Sequence, residues 1–206
     1  MDRTTRMTCF AIIGSAALLA ACQKNDDAAV NIDEPANIAI ENGSADGLPN
    51  TQSASVPLNG GDGASMGSLT ATEDAAGVTL KLTVAGMPAG VHGVHLHTTG
   101  LCEEPKFESA GSHWNPTGKQ HGRGNPAGAH SGDLDNLTVA ADGSGNATFT
   151  IAGATLGPGP MSLADNDGTA LVVHAKADDY KTDPSGASGD RIACAVIAPS
   201  KAPKAA

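Results

Sequence analysis

The sequence predicts an all-β domain, an antiparallel β-sandwich or flattened barrel of about eight short strands with two long functional loops. Three observations carry this expectation. Short segments of partial apolar–polar alternation recur between turn residues, and no stretch shows a convincing 3.6-residue period. The 26 Gly and 12 Pro favour many turns over long helices. Aromatic residues are only 2% of the chain, so Val, Leu, Ile and Ala must build most of the core.

The chain opens on an export pattern. MDRTTRM places two arginines before the apolar stretch TCFAIIGSAALLA, and Leu19-Ala20-Ala21-Cys22 closes it. That ending resembles the lipobox of bacterial lipoproteins. The resemblance implies a signal peptide at 1–21, a lipid on Cys22 and retention at the cell envelope on the periplasmic side. Gln23 in place of Asp after the cysteine favours the outer membrane. Residues 22–52 then read as the lipidated cysteine and a flexible acidic tether. Acids at 26, 27, 33, 34, 41 and 46 face one lysine, Lys24, with too little apolar surface to offset ordering.

The folded domain is expected at 53–199, with a frayed tail at 200–206. Its strand candidates are SASVPLN, SMGSLTATED, VTLKLTVAGM, the histidine-bearing GVHGVHLH, NLTVAAD, NATFTIAG, ALVVHA and RIACAVIA. Two strand-poor connections separate them, Thr98 to Ser131 and Lys176 to Asp190, and loops of that length are usually functional. No run of 20 apolar residues follows the N-terminus, so nothing downstream is expected to span a membrane. The formal charge of −10 argues against nucleic acid, whose phosphates call for clustered Lys and Arg.

Cysteine arithmetic is short. Cys9 leaves with the signal and Cys22 takes the lipid, which leaves Cys102 and Cys194. Two cysteines in an oxidising compartment are expected to pair.

Six of seven histidines fall within Val91–Asp133: His92, His95, His97, His113, His121 and His130. Neutral imidazole is the commonest biological metal ligand. Residues two apart on a strand share a face, so His95 and His97 point together while His92 points away, as a structural hydrogen-bonding residue. His174 has strand-like neighbours and could complete a site from across the sheet. His113, His121, His130 and Asp133 match a tetrahedral zinc set, and imidazoles without a thiolate suit Cu(II). These patterns leave open which loop histidine joins the strand histidines, and whether the site holds one metal or two. A metal buffer and a zinc hydrolase are rival readings. The hydrolase lacks a nearby general base among the histidine motifs.

GVHGVHLH, GSHWNP, KQHG, AHSGDL, LVVHAKADD and GDRIAC together resemble the bacterial copper/zinc superoxide dismutases in order and spacing. The resemblance covers about 53–199 and implies a Greek-key sandwich and one Cu and one Zn ion per subunit. It implies copper on His95, His97, His113 and His174, and zinc on His113, His121, His130 and Asp133. His113 would bridge both metals and carry a proton. Asp178 would link a copper histidine to a zinc histidine, and Arg191 would attract and orient the anion. The Cys102–Cys194 bridge would tie the metal loop to the strand carrying Arg191. The implied activity is disproportionation of superoxide to O₂ and H₂O₂ by Cu(II)/Cu(I) cycling, protecting the envelope. Family members are monomers or homodimers, and the sequence does not choose between them. Loss of residues 1–21 removes Asp2, Arg3 and Arg6 and takes the charge from −10 to −11. Attraction of superoxide must therefore be local, with Lys119, Arg123, Lys176 and Lys181 as candidates for a positive rim.

Overall fold

The computed structural model describes residues 53–201. The expected signal, Cys22, the tether and most of the tail lie outside the described residues. Nine strands follow in order: β1 (Ser53–Gly60), β2 (Ser65–Asp74), β3 (Gly77–Val84), β4 (Gly90–His92), β5 (Val94–His97), β6 (Leu137–Val139), β7 (Gly145–Ala152), β8 (Thr169–His174) and β9 (Arg191–Ala198). One 3₁₀ turn, Glu108–Ala110, interrupts the loop between β5 and β6. Among the described residues no helix is long and apolar enough to cross a membrane.

Seven strands form one sheet in the order β5-β8-β9-β1-β2-β3-β7, and β4 pairs with β6 in a second. Every pairing between these strands is antiparallel. Alternation explains the register of the hairpin strands. Val78, Leu80, Leu82 and Val84 of β3 are buried, and they lie opposite Leu69 and Ala71 of β2 and Phe149 and Ile151 of β7. Intervening residues such as Thr79, Lys81 and Thr83 project outward. Every strand except β4 contributes to one apolar core, so the long sheet curls around its own inner face.

β8 breaks the alternation, because all six of its residues are buried. Leu171 and Val173 belong to the main core. Ala170 and Val172, on the opposite face, pack with Phe107, Ala110 and Cys194 in a second cluster. The long loop after β5 therefore covers the outer face of β8, which is why ALVVHA reads as a continuous apolar run. Cys102 in that loop is bonded to Cys194 on β9, 92 residues away.

Two features were not legible as strands and loops in the sequence. The histidine-bearing stretch is two strands rather than one. At Gly93 the chain changes partners, β4 pairing with β6 and β5 with β8. Gly93 N–H donates to the Lys176 carbonyl at 2.8 Å and its carbonyl accepts from His174 N–H at 2.8 Å. A Cβ at Gly93 would lie 3.0 Å from that of Ser188, so a side chain there would be crowded. A third long connection, 153–168, closes on itself through Thr155 N–H to the Met161 carbonyl and Leu163 N–H to the Thr155 carbonyl.

Candidate metal centre

β5 and β8 set the first part of the site. Val94 and Leu96 enter the core, so His95 and His97 stand on the outer face. His174 ends β8, whose core residues are Leu171 and Val173, and so shares that outer face. It comes from the neighbouring strand of the same sheet, paired edge to edge with β5, not from across the sheet.

The loop histidines are placed by backbone pairing to the free edge of β5. His97 bridges His113 and His95 bridges Asp133. Trp114 N–H donates to the Leu96 carbonyl at 2.7 Å, and Leu96 N–H donates to the Gly132 carbonyl at 2.9 Å. Two loop segments thus flank one strand, which brings residues far apart in sequence to a single cluster. His113 and His95 ring centres lie 4.0 Å apart, and His113 and His121 lie 5.2 Å apart.

Hydrogen bonding assigns the ring tautomers. His95 Nε2 and His121 Nε2 donate to the two oxygens of Asp178, at 2.9 and 3.0 Å. His97 Nδ1 donates to the Gly111 carbonyl at 2.9 Å, and His174 Nδ1 to the Gly189 carbonyl at 3.1 Å. In a neutral imidazole the other nitrogen then carries a lone pair. Those nitrogens are His95 Nδ1, His121 Nδ1, His97 Nε2 and His174 Nε2, and each is buried without a hydrogen-bond partner. Orphaned buried acceptors are costly and rare. Four in one cluster, each held in orientation by the opposite N–H, are what metal ligation requires. His92 differs, since both its nitrogens contact carbonyls, His174 at 2.8 Å and Pro88 at 2.9 Å, leaving none for a metal.

Two groups of ligand atoms come together: His95, His97, His113 and His174, and His95, His113, His121 and Asp133. His130 belongs with the second group on distance. The Nδ1 atoms of His113, His121 and His130 lie 3.0, 3.0 and 3.1 Å from the same oxygen, Asp133 Oδ1. The His121 nitrogen meets that oxygen as an ion pair, outside hydrogen-bond geometry. Tetrahedral zinc with bonds near 2.0–2.1 Å spaces its ligands by about 3.3 Å, close to these separations. His95 has one free nitrogen and could serve one metal, so if the first group takes it, His130 could complete the second. Asp133 Oδ2 meanwhile accepts from Gly122 N–H at 2.9 Å and His130 N–H at 3.0 Å, which fixes the carboxylate.

Charge follows burial. Desolvation lowers the proton affinity of three imidazoles, His97 to about 2, His174 to about 3 and His113 to about 4. Desolvation opposes protonation of His121 too, but the Asp133 and Asp178 carboxylates together outweigh it and raise that group to about 9, so in the metal-free chain a proton occupies the Nδ1 lone pair that a metal would take. Burial would raise Asp133 and Asp178, yet their donors hold both well below the usual carboxylate range.

For His97, His113 and His174 the unfolded chain binds protons near pH 6.5 and the metal-free fold does not. Their contribution is present above 6.5 and is lost as pH falls towards 4. The His121 contribution is complete below 6.5 and disappears only as pH rises through 9. The metal-free protein is therefore expected to lose melting temperature steeply between pH 6.5 and 4, each of the three imidazoles contributing up to about 1.4 kcal/mol per pH unit. Thermal unfolding across that range tests this, and a flat profile would refute it.

Arg191 begins β9 and is half-buried. Its two terminal nitrogens donate to the carbonyls of Phe107 and Gly111, each at 2.6 Å. Gly111 thus holds His97 and Arg191 through one oxygen. Of the rim candidates, Lys119, Lys176 and Lys181 are exposed. Arg123 is committed elsewhere, ion-paired to Asp135 and stacked 5.3 Å over the Tyr180 ring. Lys106, absent from the sequence expectation, lines an open depression with Arg191, Glu108 and Asp190.

Sequence reasoning also missed residues that bind one loop to the other. Asp183 accepts from His121 N–H at 2.6 Å. Gly122 has φ +96°, and a Cβ there would collide with the Tyr180 carbonyl, so only glycine fits the crossing. Asn136 pairs with the Asp178 backbone. No periodicity or spacing announces such contacts.

Comparison with known proteins agrees with this geometry. The sequence model of the family described as copper/zinc superoxide dismutase (SODC) matches residues 65–197. A superoxide dismutase [Cu-Zn] of Caulobacter vibrioides is 43% identical over 151 residues, covering 70% of this chain and 85% of that one. A second, from Aquifex aeolicus, is 42% identical over 140 residues, covering 66% and 81%. Among solved structures, a superoxide dismutase-like protein from Bacillus subtilis superposes with a TM-score of 0.67 at 38% identity, covering 69% of this chain and 97% of that one. The Cu/Zn superoxide dismutase of Brucella abortus gives 0.55 at 28% identity, covering 70% and 99%. By sequence, by fold and by the histidines gathered at β5, the chain belongs to the copper/zinc superoxide dismutase family.

Proposed function

We infer that the protein is a copper/zinc superoxide dismutase, converting two superoxide ions and two protons to O₂ and H₂O₂. The single observation that carries this is the set of four buried, partnerless imidazole nitrogens. Family membership alone carries less, since one relative of the same fold is named only dismutase-like. His95, His97, His113 and His174 would hold copper, and His113, His121, His130 and Asp133 would hold zinc. Bound copper supplies alternating one-electron acceptance and donation, while zinc is redox-silent.

The chain's own residues supply the rest. Arg191 keeps its charge at any working pH and offers further N–H groups to a small anion. Its two bonds to Phe107 and Gly111 hold the guanidinium still. His113 presents Nδ1 to Asp133, which leaves Nε2 facing the first group as the position for a transferable proton.

The test uses the full chain, stripped and reloaded with both metals, beside Arg191→Ala. Superoxide decay is expected to be copper-dependent, to drop about 10–100-fold in the variant, and to slow with added salt. Tight binding of one copper and one zinc without catalysed decay would leave a metal buffer instead.

The N-terminal pattern supports a finer reading: a signal at 1–21, lipid on Cys22, an acidic tether to residue 52 and an envelope-anchored domain at 53–199. Fatty-acid labelling that survived Cys22→Ser would overturn it.

A further inference from the structure

Asp178 joins a ring of one histidine group to a ring of the other, and both its oxygens are occupied. Oδ2 accepts from His95 Nε2, and Oδ1 accepts from His121 Nε2 and from Tyr180 N–H at 2.7 Å. A displacement of this one side chain would misdirect the lone pairs of both rings together. Yet Asp178 sits in a connection without regular structure, between β8 and β9. Something outside that loop must hold it.

We propose that Asn136 is the positioning residue that fixes Asp178 and, through it, the metal-facing nitrogens of His95 and His121. Its amide engages the Asp178 backbone in both directions. Nδ2 donates to the Asp178 carbonyl at 2.9 Å, and Oδ1 accepts from Asp178 N–H at 2.8 Å. A third bond runs from Asn136 N–H to the Tyr180 hydroxyl at 2.9 Å, so the same residue holds the loop again two positions on. Asn136 can do this because the next residue, Leu137, starts β6 and is wholly buried in the main core. The anchor is therefore a rigid strand.

The opposite wall leaves no slack. A Cβ at Gly186 would collide with Asp178 Oδ1 and lie 2.7 Å from His121 Nε2, and one at Gly93 would lie 3.4 Å from the Asp178 Cβ. Asp178 thus occupies a niche walled by two glycines and clamped from β6 by one amide. The clamp needs a donor and an acceptor at fixed spacing, which asparagine supplies and aspartate or alanine does not.

This inference rests on the metal assignment proposed above. Its test is zinc affinity of the stripped full chain, by competition with a chromogenic chelator, for wild type, Asn136→Ala, Asn136→Asp, Asp178→Ala and the Asn136→Ala/Asp178→Ala double variant. Melting of each metal-free protein is followed in parallel. Asn136→Ala is expected to weaken zinc about 10–100-fold. Asn136→Asp keeps the volume but sets an oxygen against the Asp178 carbonyl, and is expected to weaken zinc at least as much. The double variant should be no weaker than Asp178→Ala alone, because both changes remove one path. A merely structural Asn136 would lower melting without that non-additivity. Zinc affinity within threefold of wild type in both Asn136 variants, or full additivity, overturns the proposal. A wild-type chain that binds no zinc would instead overturn the metal assignment itself.

Discussion

Asp133→Ala is expected to abolish tight zinc binding, a loss of more than about 100-fold, while the metal-free domain stays folded. Three imidazole nitrogens share Asp133 Oδ1 at 3.0–3.1 Å, so the substitution removes the one oxygen they converge on. It also orphans two backbone donors, Gly122 N–H and His130 N–H. Each buried donor left without a partner costs about 1–3 kcal/mol, on top of the lost ligand. Changes one step removed from a metal already cost about 10–100-fold, which sets the lower bound for a ligand. An Asp133→Asn variant keeps an acceptor oxygen without the charge and should fall between wild type and alanine. Metal content and chelator competition on the full chain would check this order. Zinc affinity in the alanine variant within threefold of wild type would remove Asp133 from the site.

How much of this was legible beforehand divides along one physical line. Local pattern gave what strands decide. The two-residue period put His95 and His97 on one face, and VTLKLTV announced β3 by alternation. Antiparallel class followed from short segments and turn residues. Non-local pairing was invisible. That His113 and Asp133 lie beside His97 and His95 follows from hydrogen bonds at the β5 edge, which leave no period in the sequence. The switch of partners at Gly93 was hidden for the same reason, since both strands read as one apolar-histidine run. Arg123 counted as a rim base because a sequence shows charge without its partner, and Asp135 and Tyr180 claim it. Ligand residue types were conspicuous, whereas supports such as Asn136 and Asp183 were not, being ordinary polar residues until their partners are known.

Removing the disulfide should produce the other large effect, a fall in melting temperature of roughly 10–20 °C for Cys102→Ala/Cys194→Ala. Alanine is the apt replacement at Cys194, which is buried against Phe107 and Val172 and would strand a serine hydroxyl. The bond spans 92 residues, and closing a loop of that length restricts the unfolded chain by roughly 4–5 kcal/mol in the chain-entropy account. For a domain of this size each kcal/mol moves melting by about 2–4 °C. The native loop has other tethers. Thr98 N–H reaches Ser112, Trp114 N–H reaches Leu96, and Arg191 holds Phe107 and Gly111, none of them through sulfur. The geometry of the histidines should therefore survive reduction, and zinc affinity of the variant should stay within threefold of wild type. Melting of the full chain and chelator competition, run on the same samples, separate the two sites of action. A large melting loss with zinc affinity intact places the disulfide's effect in the unfolded chain. Zinc weakened in step with melting would mean that the disulfide, not the β5 edge, holds the metal loop in the native state.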